Sequence, residues 1–195
     1  MSRPVALTGT PGTGKSAVAR ALAGRFRAVE VGELARELRC ARRTGRGWTV
    51  DLTTLRDRFR PWARTAGGVL VVGHLAHLLP IRDVVVLRCH PVELERRLSR
   101  AHRGTPASRR ENAMAEALDL VLVEAVGPGR RVWEIDTTGR PVDQVSRSVA
   151  RRLSDRGPSR YGKIDWLGDP RVTDGLLGRP SYRSPRWSSR ATATA

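Results

Sequence analysis

Lysine is almost missing from this 195-residue sequence, which contains only Lys15 and Lys163. The other 34 of its 36 basic residues are arginine. Cysteine is equally scarce, and two cysteines cannot build a multi-bridge disulfide scaffold or a four-cysteine zinc site. Cys40 and Cys89 also lie far apart without metal-ligand spacing, so we interpret both as ordinary thiols.

Long apolar runs are missing as well. The first residues lack the apolar length of a signal peptide, and the most apolar stretch, 69–87, is interrupted by histidine, arginine and aspartate. We therefore expect a cytoplasmic protein with no membrane partner. An apolar share of 39% still predicts one folded domain with a real core, and the length leaves room for a tail.

The formal net charge is +17, and the first 155 residues carry +12 of it, so the excess is not confined to a basic tail. Two interpretations stay open. The arginine bias reflects a GC-rich genome, or it serves an anionic partner such as RNA, which arginine contacts through bidentate phosphate hydrogen bonds and base stacking. Charge alone predicts attraction and steering rather than a function.

Short apolar segments alternate with segments of helical spacing through the first 153 residues. The predicted strands lie at about residues 5–7, 28–31, 69–72, 84–87 and 132–135. The predicted helices lie at about residues 17–22, 33–39, 51–63, 91–98, 111–126 and 141–153. Continuous β-branched runs are typical of strands buried on both faces. The alternation predicts an α/β fold with a five-stranded parallel sheet and helices on both faces.

Two segments inside this domain have the composition of loops: residues 41–48, rich in arginine and glycine, and the polar residues 100–110. From about residue 154, proline, glycine, serine and arginine dominate without a hydrophobic period. We therefore predict a domain at 1–153 and a basic tail at 154–195 that is extended or disordered. The arginine and aromatic residues of the tail favour either RNA contact or a solvated linker.

The clearest motif is GTPGTGKS, from Gly9 to Ser16, a full match to the phosphate-binding loop (P-loop). It lies between a predicted strand and a predicted helix, as such loops do. Its glycines let successive backbone N–H groups point at phosphate oxygens. Lys15 reaches the β- and γ-phosphates, and the Ser16 hydroxyl can bind Mg²⁺. The motif predicts a P-loop NTPase that binds a nucleoside triphosphate together with Mg²⁺.

Six segments, taken in order, carry a resemblance to a known family. They are Gly9 to Ser16, VGELARE at 31–37, GGVLVVGH at 67–74, VLRC at 86–89, ENAMAEA at 111–117 and EIDTTG at 134–139. Together they resemble the archaeal branch of the atypical adenylate kinase isoenzyme 6 family, over about residues 3–153. The P-loop is shared with many families, whereas VGELARE and ENAMAEA are far more diagnostic.

The resemblance implies a nucleoside monophosphate kinase fold with a P-loop, an AMP-binding segment and a small lid. It implies the reaction ATP + AMP = 2 ADP, with Mg²⁺, and an accompanying ATPase activity. It further implies a role in small ribosomal subunit and rRNA maturation, in which the family binds a platform ribosomal protein beside the rRNA.

The resemblance also assigns roles by position. The ATP phosphates would be held by Gly12, Thr13, Gly14, Lys15, Ser16 and Ala17. In an AMP-binding segment at about 30–53, Gly32 and Arg36 would contact AMP. In a lid at about 100–110, Arg103, or else Arg100, would clamp the ATP phosphates, and Arg140 would lie beside the adenine. Lys15, His74 and Arg103 are the candidate catalytic residues, and Ser16 is the candidate ligand of Mg²⁺.

The sequence departs from the family at the end of its third strand. The family has a carboxylate two residues before the terminal histidine, and Val72 occupies that place here. Valine can neither help hold the shell of Mg²⁺ nor orient an attacking water. His74 remains, with either a structural role or a role near the γ-phosphate. ATP hydrolysis is therefore less expected than phosphoryl transfer.

Three functions stay open. The first is an ATP-dependent nucleoside monophosphate kinase, with AMP as the acceptor. The second is a nucleotide-gated ribosome assembly factor that binds ATP with little or no turnover, which the net charge and Val72 favour. The third is a kinase for a different small metabolite.

Overall fold

A computed structural model describes residues 3–45 and 47–177 of the chain. Its strands are β1 (Val5–Thr8), β2 (Ala28–Glu30), β3 (Ala41–Thr44), β4 (Gly47–Val50), β5 (Leu70–Val72), β6 (Asp83–Arg88) and β7 (Arg131–Asp136). Its helices are α1 (Lys15–Ala21), α2 (Val31–Glu37), α3 (Leu52–Thr65), α4 (Pro91–Arg100), α5 (Pro106–Ala117), α6 (Leu120–Ala125), α7 (Val142–Asp155) and the short α8 (Pro170–Val172). A 3₁₀ turn spans Ala76–Leu78, and a π-helical turn spans Thr173–Leu177.

Five strands form one parallel sheet in the order β2-β5-β1-β6-β7. The predicted α/β class and five-stranded parallel sheet are therefore confirmed. Successive residues of a strand face opposite sides of a sheet, so an all-apolar strand needs cover on both faces. Helices α1 and α7 cover one face, where Leu22 and Val149 pack with Leu7. Helices α2, α3 and α6 cover the other face, where Leu34 and Phe59 pack with Val71.

The topology fixes where a ligand can bind. The order of strands reverses on either side of β1, and the carboxyl ends of β1, β2 and β5 meet at one edge of the sheet. In open α/β sheets this edge is the place for ligands. The P-loop follows β1 directly and leads into α1.

Residues 41–48 do not form the loop that their composition predicts. Strands β3 and β4 pair antiparallel as a separate hairpin, in which Arg43 lies opposite Trp48. Gly47 adopts a positive φ of 123°, which a glycine tolerates at the turn. Most side chains of the hairpin are exposed, so no buried apolar face marks these strands in the sequence.

The predicted single helix at 111–126 is wrong in its limits. It divides into α5, which begins at Pro106, and α6, because Asp119 adopts a left-handed conformation with φ 56° between them. The carboxylate of Asp119 pairs with the guanidinium of Arg88. The predicted lid is correspondingly short: Arg100 ends α4, and Thr105 caps α5 through the Ser108 N–H at 3.2 Å.

The expectation of an extended or disordered tail does not hold for residues 154–177. Arg160 forms a parallel bridge to Trp133 of β7, and its N–H donates to the carbonyl of Val132 at 2.8 Å. This segment therefore continues the sheet beyond β7 as a single bridge.

Further along the same segment, scattered apolar residues find partners in the domain. Val172 and Leu176 are buried against Ala113 of α5, and the Trp166 ring meets the His90 ring edge-on, with centroids 5.2 Å apart. These residues have no regular spacing, so only the folded domain shows that they are buried. The rest of the predicted tail, 178–195, lies outside the described residues.

No helix in residues 3–45 and 47–177 is long and apolar enough to cross a membrane.

Candidate nucleotide-binding site

The P-loop has a conformation that only glycine permits at two positions. Gly9 has φ 140°, and a Cβ there would lie 2.3 Å from the carbonyl oxygen of Leu87. Gly12 has φ 96°, and a Cβ there would lie 2.9 Å from Cδ1 of Leu94. Both contacts are far inside van der Waals distance, so the loop packs its backbone directly on β6 and α4. This close packing sets the curvature of the loop.

Lys15 closes the P-loop from inside. Its Nζ donates to the carbonyl oxygens of Gly9 at 2.7 Å and Thr10 at 2.9 Å. Burial lowers the pKa of the Lys15 ammonium to about 8, against the raising effect of two nearby carboxylates, and the charge of Arg103 lowers it further. The lysine thus carries a positive charge at neutral pH that is poorly solvated, and a phosphate anion would relieve this cost.

A buried ionic network fixes the P-loop from below. The hydroxyl of Thr10 donates to one carboxylate oxygen of Glu116 at 2.5 Å, and the other oxygen accepts from Nε of Arg88 at 2.7 Å. Arg88 is 1% exposed and also pairs with Asp119 and Glu134. Although burial by itself lowers it, these carboxylates raise the pKa of the Arg88 guanidinium above its ordinary value. Helix α5 and strand β7 are therefore tied to the loop through charged hydrogen bonds.

A cavity of about 410 Å³ opens above the P-loop. It brings together most of the residues predicted for ATP and catalysis: Gly12, Gly14, Lys15, Ser16, Ala17, His74 and Arg103. Arg97, Arg20 and Glu30 also line it and were not predicted. The two guanidinium groups of Arg97 and Arg103 with the ammonium of Lys15 make one side strongly cationic, which suits a polyphosphate.

Ser16 and Glu30 form the oxygen-rich corner of this cavity. The Ser16 hydroxyl donates to Oε1 of Glu30 at 3.0 Å. A hydroxyl and a carboxylate are hard oxygen donors of the kind that Mg²⁺ prefers, so the residues present fit that ion. Within the described part of the chain, no group of three or more His, Cys, Asp or Glu side chains could hold a metal. A P-loop site needs fewer, because phosphate oxygens and waters complete the octahedron.

The two histidines after β5 have different surroundings. His74 is exposed at the cavity, and partial burial, followed by the charge of Lys15, lowers its pKa. It is therefore neutral at pH 7. His77 is buried, with Nδ1 2.8 Å from the Thr8 hydroxyl and Nε2 2.8 Å from Oε2 of Glu124. His77 thus joins β1 to α6 as a structural residue.

Comparison with known proteins gives the family. A family model described as "AAA domain" matches residues 5–119. A "Putative adenylate kinase" from Archaeoglobus fulgidus is 40% identical over 171 residues, which are 85% of this chain and 92% of that protein. Another from Thermococcus onnurineus is 33% identical over 168 residues, 83% of this chain and 90% of that protein. The chain belongs to this AAA domain family of archaeal proteins named as adenylate kinases.

Two solved structures show the same fold. A sugar kinase from Janibacter sp. superposes with a TM-score of 0.52 at 18% identity and covers 83% of this chain and all of its own. A gluconokinase from Sinorhizobium meliloti superposes with a TM-score of 0.51 at 17% identity, covering 80% of this chain and 93% of its own. At these identities the likeness concerns the fold alone, a kinase-type P-loop fold.

The structure places three predicted residues away from the P-loop cavity. Arg140 lies on a separate small cavity with Glu134 and donates to the carbonyl of Asp136 at 2.8 Å. Gly32 and Arg36 lie on the exposed side of α2, where Nε of Arg36 donates to the carbonyl of Gly32 at 3.2 Å. The roles assigned to these three residues stay predictions.

Thr13 has an internal role in the loop. Its side chain is buried, and its hydroxyl and its backbone N–H both donate to the carbonyl of Thr10, at 2.9 Å and 3.2 Å. The predicted contact of Thr13 with the ATP phosphates stays a prediction.

Two of the missed residues had a signal in the sequence. Glu30 is the last residue but one of a predicted strand (28–31), and Arg97 is the last but one of the predicted helix (91–98) that precedes the lid. Arg97 bridges to the loop after β7, where it donates to the hydroxyl of Thr137 at 3.1 Å and to its carbonyl at 2.8 Å. Only the three-dimensional arrangement shows that both residues reach the cavity.

Proposed function

We propose that the protein transfers the γ-phosphoryl group of ATP to AMP with the help of Mg²⁺. The observation that carries this proposal is the single cavity that joins Lys15, Arg97 and Arg103 above an intact P-loop. Phosphoryl transfer requires little covalent chemistry from the protein, because catalysis comes from positioning and from neutralising charge on the transferred group. Three cations around one loop match that requirement.

In this function Lys15 exchanges its hydrogen bonds to the two loop carbonyls for phosphate oxygens. The anion raises the pKa of its ammonium again, so the lysine stays charged while phosphate is bound. Arg103 stands on the short connection between α4 and α5, where a small movement brings its guanidinium onto the phosphates. Arg97 is held in place by Thr137 and lines the same wall.

Ser16, the last residue of the P-loop motif, would hold Mg²⁺ in this function. When bound, Mg²⁺ supplies charge neutralisation to the phosphate oxygens. His74, neutral at pH 7, would accept or donate a hydrogen bond at the far side of the cavity without adding a charge.

The acceptor is proposed from the names of the relatives and from the position of α2. This helix starts directly after Glu30, which lines the cavity, so its first turns lie beside the place of transfer. Arg36 holds its guanidinium 5.7 Å from the centroid of the Trp48 ring. The phosphate of AMP would draw Arg36 off the ring, and Gly32 would let the acceptor approach the backbone of α2.

A second candidate is a nucleotide-gated ribosome assembly factor, with a platform ribosomal protein or rRNA as partner. The buried Val72 favours it, because an apolar side chain beside the P-loop cannot orient a hydrolytic water. The exposed arginines of the β3–β4 hairpin, Arg42 and Arg43, also suit an anionic partner. This second function and a slow kinase can coexist in one protein.

One experiment separates the two. Radiolabelled ATP with magnesium is followed with and without AMP, in the wild-type chain and in Lys15→Ala. Formation of ADP that depends on AMP and disappears in Lys15→Ala supports the kinase. Tight ATP binding without any turnover would contradict the kinase and support the assembly factor. Transfer to another acceptor in place of AMP would leave a kinase of a different substrate.

A matched pair of arginine variants tests the acceptor site. Arg36→Ala should raise the KM for AMP about 10–150-fold, since a charged hydrogen bond to phosphate is worth about 1.5–3 kcal/mol. The KM for ATP should stay unchanged. Arg43→Ala, an exposed arginine on the neighbouring hairpin, should change neither constant. An effect of Arg36→Ala on ATP alone would show that the acceptor lies elsewhere.

A further inference from the structure

The carboxylate missing from position 72 has a counterpart on the neighbouring strand. Strands β2 and β5 pair in parallel, and their register sets Glu30 directly beside Val72. Paired residues of adjacent strands project toward the same face of a sheet. The side chain of residue 30 therefore leaves the backbone one strand spacing, about 4.8 Å, from the point where the side chain of residue 72 does.

The side chain of Glu30 is directed at the P-loop. Its Oε1 accepts from the hydroxyl of Ser16 at 3.0 Å, and the residue lines the same cavity as Lys15. Ser16 ends the P-loop motif, and its hydroxyl is predicted to bind Mg²⁺, so the Glu30 carboxylate lies beside the predicted ligand of the ion.

Glu116 and Asp136, two other carboxylates near the P-loop, already have partners. Both oxygens of Glu116 are used, by Thr10 on one side and by Arg88 on the other. Asp136 accepts from the N–H of Thr138 at 2.8 Å and turns toward the loop after β7. Glu30 instead has a hydroxyl partner that can rotate toward a cation and still keep contact.

We propose that Glu30 takes the place of the missing acid and completes the Mg²⁺ site with Ser16, directly or through a bound water. This inference rests on the proposed use of MgATP. The site differs from the family pattern because its acid comes from β2 rather than from β5. The binding of Mg²⁺ with nucleotide then depends on residue 30, while Val72 serves the apolar layer between β5 and α1.

Replacing Glu30 by glutamine should change nucleotide affinity in one direction without Mg²⁺ and in the opposite direction with Mg²⁺. Without metal, the Glu30 carboxylate repels nucleotide phosphates, so Glu30→Gln should bind metal-free nucleotide as well as or better than wild type. With Mg²⁺, the same variant should bind more weakly than wild type. Loss of such a carboxylate typically costs about 10–100-fold in metal affinity. Glutamine has nearly the same shape and can still accept from Ser16, so the fold should be unaffected.

The test measures binding rather than turnover. The non-hydrolysable analogue AMPPNP is titrated by calorimetry into the full chain, once with EDTA and once with magnesium, at about pH 6.5, where Lys15 is charged. The dissociation constant with EDTA divided by the dissociation constant with magnesium measures the gain that the metal brings. In Glu30→Gln this ratio should be roughly 10-fold smaller than in wild type. Glu37→Gln, the same charge change at the exposed C-terminal end of α2, should keep the wild-type ratio.

A second variant shows whether the loss comes from the missing carboxylate or from an indirect change in the structure. The double variant Glu30→Gln with Val72→Asp should recover most of the magnesium-dependent gain, because the acid returns on the adjacent strand. A wild-type ratio in Glu30→Gln, or an equally large loss in Glu37→Gln, would overturn the role of Glu30 while nucleotide binding itself stood. Absence of AMPPNP binding in wild type would instead overturn the proposed function and this inference together.

Discussion

The two halves of the site differ in how the chain holds them. The P-loop rests on buried charges: Thr10 donates to Glu116, which pairs with an Arg88 that is 1% exposed. The proposed acceptor half consists of α2 and the β3–β4 hairpin, where Arg36 lies 5.7 Å from the centroid of a Trp48 ring that is 57% exposed. The P-loop is thus fixed by buried charged hydrogen bonds. Helix α2 packs on the core through Leu34 and Ala35, but its Arg36 and the hairpin's Trp48 meet at the surface.

This difference assigns different tasks to the halves. A P-loop must present its N–H groups in one geometry, and rigid support avoids reorganisation when phosphate binds. An acceptor segment must admit a substrate and close over it, so it is better served by contacts that cost little to break. We therefore expect substitutions in the two halves to have distinct signatures: loss of stability with loss of ATP binding in one, loss of acceptor affinity alone in the other.

The largest effect is expected from breaking the buried network. Glu116→Ala removes a partner of both Arg88 and Thr10 and leaves a buried guanidinium without the carboxylate that accepts from its Nε at 2.7 Å. Removing one partner of a buried ion pair costs about 3–5 kcal/mol. The free energy of unfolding, measured by urea denaturation, should fall by that amount, and ATP affinity should fall with it.

A carboxylate on the same helix serves as the control. Glu111 is exposed on α5, and Glu111→Ala should change the free energy of unfolding by no more than about 0.5 kcal/mol. Equal effects of the two substitutions would show that the P-loop does not depend on buried charge, and the contrast between the halves would disappear.

A rise in pH should have an intermediate effect on ATP affinity, because the ammonium group of Lys15 loses its proton. The pKa of its ammonium is about 8 in the protein, since burial disfavours the charge, and bound phosphate raises that pKa. Below pH 7 the lysine is charged with or without ligand, so ATP affinity is independent of this group. Above about pH 8, binding must take up a proton, and affinity should fall toward tenfold per pH unit.

Calorimetric titrations of ATP between about pH 6.5 and 9.5 check this slope against Lys15→Arg. An arginine stays protonated throughout this range, so the variant should bind with a flat pH profile. The same slope in both proteins would assign the titration to another group.

The local parts of this molecule could be predicted from the sequence. Apolar strands alternating with helices gave the five-stranded sheet, and the octapeptide at Gly9 to Ser16 gave the P-loop, since each pattern depends on neighbours in the chain. The family resemblance added His74 and Arg103, which the structure brings to the P-loop cavity.

The missed parts depend on contacts between distant residues. The hydrogen bond from Thr10 to Glu116 joins residues 106 positions apart, and no spacing signals it. Glu30 becomes notable only when β2 is set beside β5, next to Val72. Residues 154–177 lack a hydrophobic period because their buried side chains meet different parts of the domain, Trp166 at His90 and Val172 at α5.

The smallest effect on the free energy of unfolding is expected in the acceptor half. It tests the difference between this half and the P-loop half. Trp48→Ala removes an exposed ring whose described contact is with Arg36, so the free energy of unfolding should change by no more than about 0.5 kcal/mol. Trp133→Ala, by contrast, empties a site that is 1% exposed and should cost about 3–5 kcal/mol.

Trp48→Ala should also change the KM for AMP, and the direction of that change tests the proposed acceptor site. If Arg36 must leave the ring to bind AMP, then loss of the ring removes a competing partner worth about 0.5–1 kcal/mol at an exposed site. The KM for AMP in Trp48→Ala should therefore fall about 2–5-fold rather than rise, with the KM for ATP unchanged. A rise would mean that the ring itself forms part of the acceptor site. The acceptor half would then be as preformed as the P-loop half.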